Sequence, residues 1–206
     1  MVQKVEFSGD HLDMLKELMN IAVGNATASI ADLLQTFGKM HIPQITISDM
    51  EGLDAHIKES IPESQRCYVT KQLFGGLFGG EFLFVISEES ALNLGNYLYA
   101  ESKPSEGDIY DAVIELTNIL SATIISRLTE ELHTKVQFFV PSTEVVEGNC
   151  LINQEDLLNY HRIIIISTYM EFQTQNIEGK VFILTKDEMI ERLKGLIDHK
   201  LEELYA

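Results

Sequence analysis

The hydrophobic and polar positions of the chain predict an order of elements that is used twice. From about residue 10 to residue 38, apolar residues recur at steps of three and four, which is typical of an amphipathic helix. Gly38 and Pro43 supply the stop signals. Segments 44–50 and 66–74 alternate as strands do, and the apolar run 80–86 follows two pairs of glycines that fit a tight hairpin connection. Ser87 then precedes a helical pattern that begins with glutamates, as N-capped helices do.

The same order returns after the polar segment 100–108, which predicts a link between two halves. A long helical pattern covers about 108–132. Strands are predicted at 136–140, 162–175 and 180–185, and a terminal helix at 187–204. The second half therefore begins with a long helix and ends with a hairpin and a helix, as the first half does.

A numerical comparison supports an internal repeat. The residues Asp13, Glu17, Asn20 and Pro43 match Asp111, Glu115, Asn118 and Pro141 at a constant offset of 98. Gly80 matches Gly179 at an offset of 99. We interpret the chain as a single domain of two duplicated halves, about 8–100 and about 106–206. The fold class predicted is α+β, with a pseudo-two-fold relation between the halves and long amphipathic helices packed on a shared, largely antiparallel β-sheet.

The repeated polar residues form one stripe on each long helix. Positions i, i+4 and i+7 of an α-helix lie within about 60° of one another, so Asp13, Glu17 and Asn20 share a face. We call these three residues the first stripe, and Asp111, Glu115 and Asn118 the second stripe. The apolar residues lie on the opposite face of each helix; they are Leu15, Met19, Ala22, Ala26 and Ile30, and Val113, Thr117, Leu120, Ile124 and Leu128. Both stripes are predicted to point outward.

A row of acids and amides on an exposed helix is ordinarily a solvated face, and this alternative applies to either stripe alone. Two features favour a function instead. Each asparagine is followed by a proline after the same spacing of 22 residues, and the acid, acid and amide are identical in both halves although the residues between them change from MLK to AVI. A solvated face has no need of that identity.

The composition excludes several classes of protein. A formal charge of −17, from 15 basic and 32 acidic residues, repels phosphate backbones and anionic lipid surfaces, so neither a nucleic acid nor a membrane is expected as a partner. The two cysteines are far apart, and the six histidines form no pair at i and i+4, so no metal site is expected. The N-terminus has no secretory pattern and the strongest apolar runs are only as long as strands, from which we expect a cytoplasmic protein.

The doubled pattern Asp/Ser-x3-Glu-x2-Asn-x22-Pro resembles the signature of the CheC/CheX/FliY family of chemotaxis phosphatases. The stretch ELMNIAVGNATASIADLL, residues 17–34, is similar to the first motif of that family. The resemblance covers essentially the whole chain. It is greatest to the CheC type, because CheX is expected to carry one motif and FliY adds a C-terminal flagellar-switch domain for which no residues remain here.

The resemblance implies removal of phosphate from the phosphoaspartate of a CheY-type response regulator. Asn20 and Asn118 would position the attacking water, because a carboxamide both donates and accepts hydrogen bonds without carrying charge. Glu17 and Glu115 would orient the partner through a lysine that response regulators keep beside the phosphorylated aspartate. Mg²⁺ would come with the regulator, so the protein needs no cofactor of its own.

Other marked positions have weaker assignments. Asp13 and Asp111 either contact the partner or serve as solubilising residues at the start of a helix. Gly24, and its small counterpart Ala122, either let a partner helix approach or pack against a neighbouring helix. Pro43 and Pro141 are predicted to be turn residues that fix the strand after each long helix.

The sequence is also compatible with two other functions. One is an adaptor, for instance a partner of the receptor deamidase CheD, which CheC-type proteins bind. The other is a structural part of the flagellar switch, which the lack of a switch domain disfavours. The intact pairs of glutamate and asparagine favour the enzyme, and we expect each stripe to be a complete site that acts independently.

Overall fold

The computed structural model describes residues 6–62, 64–100, 103–147 and 162–205. Within these ranges the helices are α1 (Gly9–Leu33), α2 (Met50–Ser60), α3 (Glu88–Tyr99), α4 (Glu106–Glu131) and α5 (Glu188–Tyr205). The strands are β1 (Lys39–Met40), β2 (Gln44–Ser48), β3 (Arg66–Gly76), β4 (Gly80–Ser87), β5 (Val136–Phe138), β6 (Ser142–Glu147), β7 (Ile163–Phe172) and β8 (Ile177–Lys186). A short 3-10 turn, Gln173–Gln175, connects β7 to β8.

The two long helices begin with the same device. Ser8 and Ser105 are extended N-cap residues whose side chains accept a hydrogen bond from the backbone N–H three residues on. The residue at that third position, His11 or Asp108, bonds back to the backbone N–H of the cap, which completes a capping box. These reciprocal bonds satisfy backbone donors that a helix cannot satisfy internally, and they fix where each stripe starts.

The eight strands form one antiparallel sheet. Hairpins β3–β4 and β7–β8 meet where β4 pairs with β8, so the central order is β7, β8, β4, β3. The outer strands cross over between halves. The short strands β1 and β2 pair with β7, while β5 and β6 pair with β3. Each half of the chain therefore supplies the edge of the other half's hairpin.

The four helices α1, α3, α4 and α5 contribute to the main core on one face of the sheet. All ten apolar-face residues predicted for α1 and α4 are buried in the structure, and these two helices also pack against each other. The opposite face carries a smaller core, in which Leu53, Ile57 and Ile61 pack against strand residues such as Leu83 and Phe182. The predicted fold class is confirmed. The sequence boundaries of the halves, 8–100 and 106–206, stay a prediction.

Besides the two-residue strand β1 and the short 3-10 turn, two elements were missing from the sequence prediction. Helix α2 follows β2 directly, because the Asp49 side chain caps it by accepting from the Gly52 N–H at 2.9 Å. Strand β6 pairs with β3 although four of its six residues, STEVVE, are polar and do not alternate with apolar ones. The first long helix also ends at Leu33, before Gly38. The predicted strand 162–175 ends at Phe172, three residues early.

Helix α4 is long and apolar enough to cross a bilayer by length and composition, and it is the one such helix in the described part of the chain. Its apolar residues have another partner in this structure. Ala112, Leu116, Leu120, Ile124 and Leu128 are buried in the main core. We therefore assign α4 as a core helix.

Candidate functional site

The first stripe lies on the open surface of α1. Asp13, Glu17 and Asn20 are exposed, as are Ile21 and Gly24 on the same face. Lys16 approaches Asp13 at 3.5 Å in a solvent-exposed ion pair, which contributes little to stability. Among the described residues, nothing hydrogen-bonds the side chains of Glu17 or Asn20. A Cβ added at Gly24 would meet no atom within 4 Å, so this part of the helix is bare.

The second stripe has the same exposure on α4. Asp111, Glu115, Asn118 and Ala122 are all exposed. The hydroxyl of Tyr99, at the end of α3, lies in the field of the two carboxylates. Desolvation, followed by the charges of Asp111 and Glu115, raises the pKa of Tyr99 above its ordinary value. Tyr99 therefore lies close enough to this stripe for its hydroxyl to experience both carboxylates.

Asn118 differs from Asn20 in having an internal support. Gln72, a buried residue of β3, donates from Nε2 to Asn118 Oδ1 at 3.3 Å and to the backbone carbonyl of Phe139 at 3.0 Å. Ser121, one turn along α4, donates its hydroxyl to Gln72 Oε1. Gln72 was not predicted from the sequence. The signal available was a long polar side chain on the same face of the strand as the buried residues Tyr68, Thr70 and Phe74.

The surroundings of the first stripe contain a shorter network. The residue that corresponds to Gln72 is Thr168, whose hydroxyl donates to the His41 carbonyl at 2.6 Å, as Gln72 does to the carbonyl of Phe139. The residue that corresponds to Ser121 is Val23, which has no hydrogen-bonding side chain. Around the first stripe, the loop at His41 thus keeps its hydrogen bond to a strand side chain, but no described residue gives Asn20 a bond equivalent to the one between Gln72 and Asn118.

The two prolines lie in matching connections, as predicted. Pro43 stands between β1 and β2, and Pro141 between β5 and β6. Each follows an aliphatic residue that is almost fully open to solvent: Ile42 is 78% exposed and Val140 is 92% exposed. Exposed aliphatic side chains at equivalent places of both halves are candidates for contact with a protein partner.

The shape of both stripes favours a macromolecular ligand. They lie on convex helix surfaces and present carboxylates and carboxamides. Cavities of about 210 and about 300 Å³ lie on the opposite face of the sheet, beside α2, and share Ser60, Tyr169 and Lys180 in their lining. Within the described ranges, no cluster of three or more His, Cys, Asp or Glu side chains is placed to hold a metal ion. The described cysteine, Cys67, is buried, and burial raises the pKa of its thiol.

Comparison with solved structures identifies the fold. FliY from Thermotoga maritima superposes with a TM-score of 0.72 at 15% identity, covering 95% of this chain and all of that one. CheX from Vibrio vulnificus gives 0.56 at 15% identity, over 83% of this chain and 99% of that one. The FliM middle domain from H. pylori gives 0.60 at 12% identity, over 92% and 99%. The sequence matches no protein-family model and no curated protein significantly.

The chain has the fold of the CheC-like chemotaxis proteins, and the resemblance inferred from the stripes is confirmed at the level of the fold. At 11–15% identity this likeness carries the fold alone. Because the FliM middle domain shares that fold, the fold does not choose between the possible activities. The roles of Glu17, Asn20, Glu115 and Asn118, and those of Asp13, Gly24, Asp111 and Ala122, stay predictions.

Proposed function

We propose that this protein is a phosphatase of a phosphorylated CheY-type response regulator, with one site on each long helix. The observation that carries the proposal is the doubled exposed stripe of acid, acid and amide. It stands on a fold that is shared with FliY and CheX. Neither solvation nor folding requires the same three side chains at the same places of both halves.

The asparagine acts on the nucleophile. Water attacks the phosphorus of the aspartyl phosphate, the bond between phosphorus and the carboxylate oxygen breaks, and the water proton ends on the released inorganic phosphate. The transition state needs this water in line with the breaking bond. The carboxamides of Asn20 and Asn118 supply a donor and an acceptor that hold it there, and orientation of this kind lowers the barrier by removing freedom in advance.

The glutamate acts on the partner. One turn before each asparagine, Glu17 and Glu115 lie on the same exposed face and are free of hydrogen bonds to the described residues. A receiver domain carries a lysine beside its phosphorylated aspartate, and a carboxylate bonds such an ammonium group more strongly than a neutral acceptor does. The glutamate would thus align the two proteins. Mg²⁺ belongs to the phosphorylated receiver, and the location of both proteins would be the cytoplasm.

The net charge of −17 means that association gains nothing from long-range attraction to an acidic receiver. Affinity then has to come from local contacts. The exposed side chains Ile42 and Val140, near the connection that follows each long helix, are suited to add apolar area to the charged pairs.

A non-catalytic adaptor that binds a chemotaxis protein, for instance a CheD-type deamidase, is the second candidate. One of the matched structures is that of a FliM–SpeE complex from H. pylori, so this fold also engages partners of other kinds. A fold that serves in different complexes is compatible with binding alone. The two candidate functions are distinguished by turnover, because only the phosphatase would accelerate release of phosphate from the receiver.

The decisive experiment measures phosphate release from phosphorylated CheY-type receivers of the same genome, with and without the protein. The matched control is the double variant Asn20→Ala, Asn118→Ala, which removes two exposed amides and replaces no buried side chain. Acceleration by the natural protein and not by the variant is expected. If no receiver loses phosphate faster, the enzyme proposal fails and the adaptor remains.

A further inference from the structure

The side chain of Asn118 has one orientation that its neighbours permit. The carbonyl oxygen of Phe139 only accepts hydrogen bonds, so the Gln72 atom that faces it must be the amide nitrogen. That choice leaves Oε1 of Gln72 to accept from the Ser121 hydroxyl. The same Gln72 nitrogen faces Asn118 at 3.3 Å, so the Asn118 atom toward the protein is the acceptor Oδ1. The donor Nδ2 is therefore the Asn118 atom directed away from Gln72.

This support leaves Asn118 able to handle water. An amide oxygen has two lone pairs, and Gln72 occupies one of them. The second lone pair and both Nδ2 hydrogens remain. Asn118 can still accept from and donate to one water molecule, but its side-chain torsions are already restricted. Restricting a side chain before binding reduces the entropy lost at the moment of reaction.

Gln72 also connects the asparagine to the exposed loop. It is buried in β3, and its second hydrogen bond holds the backbone of Phe139, next to the exposed Val140. Asn118 and the loop before Pro141 therefore share a rigid support that belongs to neither element. The equivalent Thr168 holds the loop at His41, but none of the described residues bonds the side chain of Asn20.

We infer that Gln72 is a positioning residue which fixes the orientation of Asn118, so that the second stripe is a pre-organised site and the first stripe is not. The inference rests on the proposed function for its consequence in catalysis, namely that the site on α4 turns over faster than the site on α1. The structural part of the inference is that the Asn118 side chain is restricted and the Asn20 side chain is mobile. This part does not depend on the proposed function.

The structural content is tested by nuclear magnetic resonance of the ¹⁵N-labelled side-chain amides in the full-length protein. Asn118 is expected to give a restricted NH₂ group, and Asn20 one that is averaged by fast rotamer exchange. The near-isosteric Gln72→Met removes both donors and is expected to make Asn118 resemble Asn20. The matched control, Thr168→Val, removes the equivalent bond to His41 and is expected to leave Asn118 unchanged. Equal mobility of the two amides in the natural protein would overturn the inference, even if no variant folds.

The catalytic content is tested on proteins with one working stripe. In an Asn20→Ala background, where the second stripe acts alone, Gln72→Met is expected to lower kcat about 10-fold, the size of effect that loss of orientation produces. In an Asn118→Ala background, the same change is expected to alter kcat less than about twofold, within the scatter of independent sites. Equal losses in both backgrounds would indicate general destabilisation and overturn the assignment. If the natural protein releases no phosphate, the proposed function fails, and the amide measurements still decide the role of Gln72.

Discussion

Leu83 and Phe182 face each other as partner residues of the central β4–β8 pair. They are 99 residues apart, the same offset that relates Gly80 to Gly179. Equivalent positions of the two halves thus meet where the sheet is continuous, so the pseudo-two-fold axis passes between these two residues. Because β1 and β2 pair with β7, and β5 and β6 pair with β3, each half completes the other half's sheet.

The proposed division of labour within a stripe predicts a split between binding and turnover. Replacing Glu17 and Glu115 together by alanine removes the two carboxylates that would meet the receiver's lysine. We expect binding to the phosphorylated receiver to weaken, by about 1.5–3 kcal/mol for the loss of charge-assisted bonds. Replacing Asn20 and Asn118 together should leave binding largely intact and remove turnover. Titration of the labelled receiver, followed by phosphate release at saturation, measures both. The assignment is contradicted if the two variants lose both properties equally.

The open surface at Gly24 predicts a contact that a side chain would block. Gly24 in α1 and Gly195 in α5 are both helical, and neither would bring an added Cβ within 4 Å of another atom. Leucine at either place should therefore fold well and stabilise its helix by about 0.5–1 kcal/mol, the usual cost of a helical glycine. Only Gly24→Leu should weaken binding of the receiver, because only Gly24 borders a stripe. Gly195→Leu is the matched control. If both variants bind normally, no partner helix approaches Gly24.

The hydrogen bond between His11 and Asp198 predicts an acid-dependent stability. His11 Nε2 and Asp198 Oδ1 are 2.6 Å apart and join α1 to α5. The hydrogen bonds from His11 and then Lys194 lower the pKa of Asp198. A lowered folded-state pKa stabilises the protein above the unfolded-state value, and that stabilisation is lost as the pH falls through the folded-state value. Asp198→Asn should therefore reduce the free energy of unfolding at neutral pH, and its difference from the natural protein should vanish in acid. Urea unfolding at a series of pH values measures this. A difference that stays constant as the pH falls through the acid range would show a packing effect instead.

The sequence predicted the stripes because a helix has a fixed angular period. Leu15 and Met19 mark the inner face of α1, and the period alone then assigns the positions opposite them to solvent. Helix α2 could not be predicted from periodicity in the same way. It has 11 residues, and among those whose burial is described Leu53 and Ile57 are the fully buried apolar ones, so the apolar pattern is too short to stand out.

The support of Asn118 was beyond prediction for a different reason. Gln72 is separated from Asn118 by 46 residues, from Ser121 by 49 and from Phe139 by 67. Their meeting depends on the pairing of β3 with β5 and on the docking of α4 over β3. The local periodicity of the sequence predicts neither this strand pairing nor this helix docking. The duplication could not reveal it either, because Thr168 and Val23 stand at the positions that correspond to Gln72 and Ser121.

The presence of two stripes predicts two sites that work independently. Both keep the acid, the second acid and the amide, and both are exposed. They lie on different helices, so one phosphoryl group would be served by one stripe. We therefore expect Asn20→Ala and Asn118→Ala each to leave measurable phosphate release, and the two residual activities to sum to about the natural value, as independent sites do.

The division between the two sites is expected to be unequal. Because Gln72 restricts Asn118 and nothing described restricts Asn20, the protein that keeps Asn118 should retain the larger share. Phosphate release is measured at saturating receiver, and the rate of the double variant is subtracted as the background. The remaining rates of the two single variants give the contribution of each site. Circular dichroism checks that each variant folds. Complete loss of turnover in either folded single variant would mean that one stripe depends on the other. The half with the surviving asparagine would then be a structural copy, and the identity of its three side chains would need another cause.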